Sequence, residues 1–202
     1  MKRKLLILFA ISLVLLTVIS GCKGKVKDPN EVTYFLKDLN SYSTDYTMDI
    51  INDKQTVTYE GKQYFDKDLG CRQEVGQDRV FIYKEDSIYV QDVKNNTKYV
   101  LEKNFDDIYK ISFIKEYIKL LYTDMEIKYD FKELEGNKYQ LINLTIPGGS
   151  REMTKAVMYV NMKTNHPEKV LVYDEKGKER RRITYKNFEV NPQLDKNLFK
   201  IS

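Results

Sequence analysis

The first regular pattern in the chain is a set of apolar residues at helical spacing. Four of them recur at positions 0, 3, 4 and 7, which places them on one face of a helix. They are Val32, Phe35, Leu36 and Leu39. Asp28 is a good N-cap and Pro29 suits the first helical position. The pattern predicts an amphipathic helix that begins at Asp28 and ends near Asn40.

Alternating apolar and polar residues follow, which is the pattern of strands with one buried face. The alternating apolar positions are Tyr46, Met48 and Ile50; Val57 and Tyr59; Val80 and Ile82; and Ile88 and Val90. Short polar segments separate them and predict hairpin turns at 52–54, 60–62, 84–86 and 94–96. This region therefore predicts an antiparallel meander with one face toward solvent.

A second helix is predicted to interrupt the strands, with Asn104 as its cap. Its apolar stripe consists of Ile108, Ile111, Ile114, Ile118 and Leu121. Strands are then expected at 125–131, 139–146, 156–162, 170–173 and 182–188. The order predicts an α+β protein in which helices pack on the concave side of one strongly curved antiparallel sheet, a half-open barrel.

The segment before residue 28 reads as a secretory signal. Three basic residues precede an uncharged stretch from Leu5 to Gly21, and small residues end it. A membrane-spanning helix would need about 20 apolar residues, more than Leu5 to Ile19 provides. The sequence Ile19-Ser20-Gly21-Cys22 resembles the bacterial lipobox, which implies a diacylglycerol on Cys22. The alternative is an ordinary signal peptide followed by a cysteine that is not acylated.

These observations divide the chain into a signal peptide (1–21), a lipidated tether (22–27) and a single domain (28–202). Acyl chains on Cys22 would anchor the protein stably to the extracytoplasmic face of a membrane. Without residues 1–21 the chain carries 31 Lys+Arg and 30 Asp+Glu, because the signal contains three basic and no acidic residues. A charge of +1 provides no basic excess for nucleic acid, so that class of partner is excluded.

The side chains show no pattern that points to catalysis, so the sequence predicts a protein that is not an enzyme. His166 is the only histidine and falls in a predicted turn, which disfavours a zinc site or a histidine-dependent nucleophile. No cofactor is expected beyond the lipid on Cys22. With Cys22 acylated, Cys71 has no partner within the chain and is predicted to be a partly buried thiol; an intermolecular disulfide is the alternative.

The densest basic run is Lys178-Glu179-Arg180-Arg181-Arg182. In a strand, Arg180 and Arg182 face one way and Arg181 the other. Such a run can serve as a charged edge that discourages sheet-to-sheet pairing. It can also bind an acidic partner, and Lys178, Arg180 and Arg182 are the candidate contact residues. We call these three residues the basic ridge.

The C-terminal third resembles the closing strands of the LolA/LolB-like lipoprotein-sorting fold. The shared pattern is strand, Thr-x-x-Pro turn, strand, Asp-x-x-Gly turn, strand, then Asn-Pro, Leu and Phe. The matching positions are Thr164, Pro167, Asp174, Gly177, Asn191, Pro192, Leu194 and Phe199. The resemblance implies a half-open barrel around helices with a hollow that accepts acyl chains. The residues expected to line such a hollow include Phe35, Leu39, Ile114 and Ile118.

The whole chain is also similar to the GerS-like spore-germination lipoproteins of clostridia, in its length, its lipobox cysteine and its LolA-like body. This resemblance implies a non-enzymatic protein of the spore envelope, between the forespore membranes. It would bind and activate a zinc-dependent N-acetylmuramoyl-L-alanine amidase of the CwlD type during cortex modification. Open sheet edges make a homodimer plausible, by edge pairing or strand exchange. The alternatives are a lipid or acyl-chain carrier and, third, a direct glycan binder.

Overall fold

A computed structural model describes residues 28–84, 87–102, 111–123 and 127–200. The predicted signal peptide, Cys22, the tether and the start of the second helix at Asn104 lie outside these residues. So do parts of the predicted turn at 84–86 and strand at 125–131. No helix in the described part of the chain is long and apolar enough to cross a membrane.

The first helix confirms its prediction. Helix α1 (Pro29–Lys37) begins after Asp28, whose carboxylate accepts a hydrogen bond from the backbone N–H of Asn30 at 2.9 Å. Val32 and Leu36 are buried on its inner face, and Leu39 is buried just beyond its end. The apolar stripe therefore holds α1 against the sheet.

In the described part of the chain, eleven strands form one antiparallel sheet. The strands that precede the second helix are β1 (Ser41–Ile51), β2 (Thr56–Asp66), β3 (Gly70–Val75), β4 (Arg79–Tyr83), β5 (Ser87–Asp92) and β6 (Thr97–Glu102). Helix α2 (Ile114–Leu121) then precedes β7 (Lys128–Leu134), β8 (Asn137–Thr145), β9 (Lys155–Asn161), β10 (Pro167–Tyr173) and β11 (Glu179–Val190). A short 3₁₀ helix (Lys196–Phe199) ends the described chain.

The first and last strands meet in the middle of the sheet. The order is β6-β5-β4-β3-β2-β1-β11-β10-β9-β8-β7, and β1 pairs with β11 over most of its length. This central pair is flanked by two series of hairpins. We call β2–β6 the N-terminal wing and β7–β10 the C-terminal wing.

Contacts of one short segment show that the sheet is strongly curved. The rings of Phe113 and Tyr83 on β4 are 5.0 Å apart, while the Tyr117 hydroxyl donates to the carbonyl oxygen of Ile142 on β8 at 2.7 Å. β4 and β8 are seven strand positions apart, about 34 Å in a flat sheet. Four residues of helix span only about 6 Å. The two wings must therefore curl around α2, which confirms the predicted fold class.

Tyr117 and Tyr185 tie the helix region to the sheet. Tyr117 is fully buried, and its hydroxyl also accepts a hydrogen bond from the backbone N–H of Met158 at 3.1 Å. The Tyr185 hydroxyl on β11 donates to the carbonyl oxygen of Ser112 at 2.6 Å. Burial raises the pKa of both phenols, so they stay neutral and act as donors.

Two sequence predictions are wrong, and each has a physical reason. Residues 60–62 form no turn, because Gly61 lies inside β2. A Cβ at this glycine would lie 1.7 Å from the carbonyl oxygen of Glu74, so the glycine permits a close backbone approach. The predicted helix is not continuous, because residues 111–113 are non-helical and α2 begins at Ile114. There the Gln63 side chain donates to the Ser112 hydroxyl at 2.8 Å.

Two strands carry no alternating apolar pattern and are absent from the sequence prediction. On β3 the inward positions include the polar Gln73, which is fully buried. Strand β6 is exposed along most of its length, and its apolar residues 99–101 are consecutive rather than alternating. The other predicted strands are present, and the Asp-x-x-Gly turn is confirmed by the positive φ of Gly177.

Candidate interaction surfaces

The basic ridge lies where two hairpins meet. Lys178 and Arg180 both bind the carboxylate of Asp53 in the β1–β2 turn, Arg180 at 2.9 Å. Arg180 also donates to the carboxylate of Asp174, which follows β10, at 2.7 Å. The pairing register shifts here, because Val172 faces Arg181 while Tyr173 faces Glu179. Arg180 is thus the extra residue of a bulge, which turns its side chain toward the two turns.

The charges of this cluster compensate one another within the chain. Hydrogen bonds from Lys178 and Arg180 lower the pKa of Asp53. Burial opposes ionisation of Asp174, but the backbone N–H of Lys178 and the Arg180 guanidinium still hold its pKa below the ordinary value. The hydrogen bonds with Asp174 and Asp53 raise the pKa of Arg180. Lys178 and Arg180 therefore join hairpins, and little positive charge is left for a partner.

Arg182 is placed differently from the other two ridge residues. It pairs with Glu179 at 2.8 Å and is about half exposed, whereas Arg181 is buried, as the alternation predicts. Arg182 lines a cleft of about 700 Å³ together with Lys169 and Lys186. We call this the outer-face cleft.

The carboxylate of Glu168 in the outer-face cleft is hydrogen-bonded within the chain. Glu168 accepts hydrogen bonds from the Tyr139 hydroxyl at 2.6 Å and the Asn161 amide at 2.8 Å. The hydrogen bond to Glu168, together with burial, raises the pKa of Tyr139 to about 12. Neutral donors leave the negative charge of Glu168 in place, so the cleft lining holds three cations, Lys169, Arg182 and Lys186, against this one carboxylate. Such a site suits acidic side chains.

His166 lies at the end of the outer-face cleft, in the connection from β9 to β10, as predicted. Its ring centre is 5.2 Å from that of Phe188. Burial lowers the pKa of His166, and the nearby Glu168 only partly opposes this. The described residues contain no group of three His, Cys, Asp or Glu side chains that could hold a metal. His166 is therefore placed as a packed turn residue.

A second cleft, of about 770 Å³, lies beside the β2–β3 and β4–β5 turns and the 3₁₀ helix, and we call it the end cleft. Its apolar lining comes from three strands, one turn, the segment before α2 and the 3₁₀ helix: Phe65, Leu69, Cys71, Tyr83, Phe113 and Phe199. Charged residues of both signs also line it: Lys67, Lys84, Lys196 and Lys200 with Asp66, Asp68 and Glu116. An apolar surface combined with such charged groups suits an amphiphile.

The residues predicted to line an acyl-chain hollow do not form the end cleft. Leu39, Ile114 and Ile118 are each at most 4% exposed, and Phe35 packs against the same core. The cleft uses aromatic residues at inward strand positions with lysines in the adjoining turns. That combination is visible at Phe65 with Lys67 and at Tyr83 with Lys84, and it is the signal that sequence reasoning missed.

Cys71 is confirmed as a thiol that is largely buried. It is 8% exposed, lies opposite Phe65 in the pairing of β2 with β3, and forms no disulfide in the described part of the chain. A thiol in this position behaves mainly as a small apolar side chain at the base of the end cleft.

Comparison with known sequences gives a family for this architecture. The sequence profile of the YdcC-like sporulation proteins matches residues 2–199. The chain belongs to this family. No curated protein matches the chain in sequence.

Three of the solved structures that match the chain are described here by identity, coverage and TM-score. An uncharacterized conserved protein from Thermus thermophilus matches with a TM-score of 0.58 at 9% identity, covering 86% of this chain and 93% of that one. In the complex of the CwlD amidase from Clostridioides difficile with the GerS lipoprotein, the match has a TM-score of 0.50 at 25% identity and covers 79% and 92%. A LolA superfamily protein from Nitrosomonas europaea matches at 11% identity with a TM-score of 0.43, covering 86% and 96%.

Proposed function

We propose that this YdcC-like protein is a membrane-anchored, non-enzymatic lipoprotein that binds and activates a cell-wall amidase of the CwlD type during spore formation. The observation that carries the proposal is the 25% identity, over 79% of the chain, to a structure in which the GerS lipoprotein is bound to the CwlD amidase. Membership of a sporulation family supports the same setting. Cortex modification and later germination would depend on the activated enzyme.

The proposed mechanism needs no catalytic group on this chain. An activator that binds the competent form of an enzyme better than the incompetent form shifts the population toward the competent one. The shift cannot exceed the difference between the two affinities. The acylated Cys22 would hold the protein on the extracytoplasmic face of a membrane, in the envelope between the forespore membranes, where its partner works.

The contact surface that we propose is the outer-face cleft around Arg182. Arg182, Lys169 and Lys186 present positive charge, and an acidic surface of the amidase would pair with them. Lys178 and Arg180 would act indirectly, because their ion pairs keep the two hairpins beside the cleft in place. Binding through exposed charges would weaken as the salt concentration rises.

The test is to purify the full chain with the amidase and to measure binding, zinc occupancy of the amidase and its hydrolysis of cortex peptidoglycan. We expect a complex, and an increase in zinc occupancy or activity when the two are mixed. Arg182→Glu should weaken binding about tenfold or more, whereas Lys132→Glu, an equal charge change on exposed β7, should not. If mixing changes neither occupancy nor activity, the proposed function is wrong.

The anchor is tested separately. Membranes from cells that express the full chain should contain the acylated form, detected by mass spectrometry of the N-terminal peptide. Cys22→Ser should abolish acylation and release the protein from the membrane. A chain that stays acylated after this substitution would contradict the assignment of Cys22.

A second candidate function is binding of lipid or acyl chains, favoured by the apolar lining of the end cleft. Native mass spectrometry of the Cys22→Ser chain should then detect a co-purified amphiphile. Leu69→Trp would fill part of the cleft and should remove that ligand, while the exposed Tyr122→Trp should leave it bound. A ligand-free spectrum for the parent chain would exclude this candidate.

A further inference from the structure

Three large aromatic side chains are exposed where the two helices meet the C-terminal wing. They are Tyr34 on α1, Tyr122 directly after α2 and Phe131 on β7, and they are 53%, 44% and 56% exposed. Exposed apolar side chains that lie together mark a surface for a partner or a membrane. We call these three residues the aromatic face.

Strand β7 runs beside the first turn of α1. The Tyr129 hydroxyl donates a hydrogen bond to the Asn30 side-chain oxygen at 3.0 Å. Phe131 follows Tyr129 by two residues, so it projects from the same side of the strand. Phe131 also lies opposite Gln140, whose amide donates to the carbonyl oxygen of Pro29. Phe131 is therefore placed close to the residue where α1 begins.

The other two aromatic residues lie farther along α1. Tyr34 is on its exposed side, and Lys37, which follows by three residues, shares that side. The ammonium nitrogen of Lys37 is 4.6 Å from the centre of the Tyr122 ring. Glu31 and Asp38 are exposed on the same side of α1. The aromatic face is thus an apolar area among charges of both signs, so its attraction for another surface does not depend on net charge.

The position of the predicted anchor indicates which surface the aromatic face meets. In the proposed lipoprotein, the tether of residues 22–27 joins the acylated Cys22 to Asp28. An extended chain spans about 3.5 Å per residue, so α1 begins within about 20 Å of the acyl groups. Lipid headgroups account for roughly 5–8 Å of this distance. The start of α1 and the rings beside it are therefore held close to the lipid surface, and aromatic rings favour the interface between membrane and water.

We propose that the aromatic face docks onto the membrane that holds the acyl anchor, with its three rings at the level of the lipid headgroups. This proposal rests on the acylated Cys22 of the proposed function and adds an orientation to it. Acyl chains hold the protein at the membrane, and the aromatic face is the second contact, which fixes how the domain lies. Arg182 alternates with the buried Arg181 and so projects from the outer side of the sheet, away from the helices. The outer-face cleft would then point away from the membrane and stay open to the amidase.

Tryptophan fluorescence tests this orientation, because the chain contains no tryptophan of its own. Tyr34→Trp and Phe131→Trp each introduce one indole at an exposed position of the aromatic face. Val93→Trp is the control. Val93 is also exposed, but it follows β5 at the end of the sheet opposite to the end where α1 joins β1.

The purified acylated protein is inserted into phosphatidylcholine vesicles, with or without bromine on the acyl chains near the headgroups. Bromine should lower the emission at positions 34 and 131 by about half or more and leave the emission at position 93 unchanged. Emission at positions 34 and 131 that bromine does not lower, or an equal decrease at position 93, would overturn the proposal.

A charge placed in the aromatic face tests its role in docking. Adding Phe131→Glu to Tyr34→Trp should reduce the quenching at position 34 about twofold or more, because a carboxylate resists entry into the lipid interface. Lys132→Glu is the matched control, since it is exposed and projects from the other side of β7, and it should leave the quenching unchanged. Equal quenching with and without Phe131→Glu would contradict docking through this face.

Two further measurements separate this proposal from the proposed function. Mass spectrometry of the same sample detects the acyl group: a chain without it would contradict the anchor and this proposal together, whereas an acylated chain without quenching contradicts this proposal alone. Binding to the amidase in detergent, without vesicles, should be the same for Phe131→Glu as for the parent. If Phe131→Glu weakens that binding as much as Arg182→Glu does, the aromatic face belongs to a protein contact and the proposal is wrong.

Discussion

The two wings of the sheet are both built from antiparallel hairpins, but their side chains are packed differently. The C-terminal wing has apolar clusters on both faces, because Tyr139, Tyr159 and Leu171 form a second cluster on its outer side. Among the described residues, the N-terminal wing contributes nothing to such a cluster. On its outer side Tyr89 and Val100 are exposed instead.

The interiors of the wings also differ in how they treat polar side chains. On β8, the buried Gln140 donates to the carbonyl oxygen of Pro29 at 2.7 Å and so ties α1 to the sheet. On β3, the buried Gln73 has no hydrogen-bond partner for either amide atom within the described chain. A buried polar group without a partner costs free energy of folding.

The contrast is one of packing. The C-terminal wing, which lines the outer-face cleft together with β11, has apolar clusters on both faces. The N-terminal wing carries the end cleft and a buried thiol, and its outer side exposes apolar residues. The variants below test this difference, from the largest expected effect to the smallest.

Gly61→Ala should damage the N-terminal wing most. The new methyl group would lie 1.7 Å from the backbone oxygen of Glu74, and backbone cannot move aside as a flexible side chain can. We expect a loss of about 4 kcal/mol or more in the free energy of unfolding, measured with chemical denaturant. Gly136→Ala in the C-terminal wing has open space and only a positive φ, so about 1 kcal/mol is expected. Similar losses at both sites would contradict a steric cause.

Tyr117→Phe should loosen the contact of α2 with the C-terminal wing. It leaves the carbonyl oxygen of Ile142 and the N–H of Met158 buried without the hydroxyl that serves both. The expected loss in unfolding free energy is about 3 kcal/mol. Tyr122→Phe, at an exposed site, is the control and should change it by less than about 0.5 kcal/mol. Equal losses in the two variants would mean that the buried hydrogen bonds of Tyr117 add little to the free energy of unfolding.

Replacing the two buried glutamines should shift stability in opposite directions. Gln73→Met removes amide atoms that lack partners, and we expect a gain of about 1 kcal/mol. Gln140→Met removes the donor to Pro29, and we expect a loss of about 2 kcal/mol. Thermal and denaturant unfolding of both variants give the comparison. A loss at both positions would show that Gln73 is satisfied after all.

The smallest expected effect is the pH dependence due to His166. Burial lowers its folded-state pKa below the ordinary 6.5, so the unfolded chain binds the proton first. Stability should be unaffected above pH 6.5, fall as the pH drops through it, and level off below the folded-state pKa. Unfolding curves from about pH 8 to about pH 5 should show this decline, and His166→Gln should flatten it. A decline unchanged by the substitution would assign it to other groups.

The spacing of apolar residues is sufficient to predict a helix or strand wherever one face of that element is uniformly buried. Helix α1 and the alternating strands β1, β4 and β5 are predictable because apolar residues recur at the period of each element. Periodicity fails at β3, where a polar side chain occupies an inward position, and at β6, which is exposed. It also places a turn at Gly61, because glycine at a turn and glycine at a close backbone approach look alike in sequence.

The candidate sites likewise divide into features that the sequence predicts and features that only the folded structure reveals. The sequence located the basic ridge, but Asp53 lies more than a hundred residues from Lys178, and only folding reveals that it neutralises Lys178 and Arg180. The separation of Arg182 from the other two follows from a bulge at Arg180 that alternation alone does not indicate. The prediction for Cys22 rests on the lipobox resemblance, and it stays a prediction.

By itself the sequence determined the α+β class, the first helix, most turns and the absence of a basic excess, because these depend on neighbouring residues and on composition. Only the tertiary structure decided that the first and last strands meet at the centre, and that β6 and β7 are the outermost of the described strands. It also decided which charges and glutamines have partners. These are long-range pairings, and hydrophobic periodicity carries no information about which distant residue lies opposite.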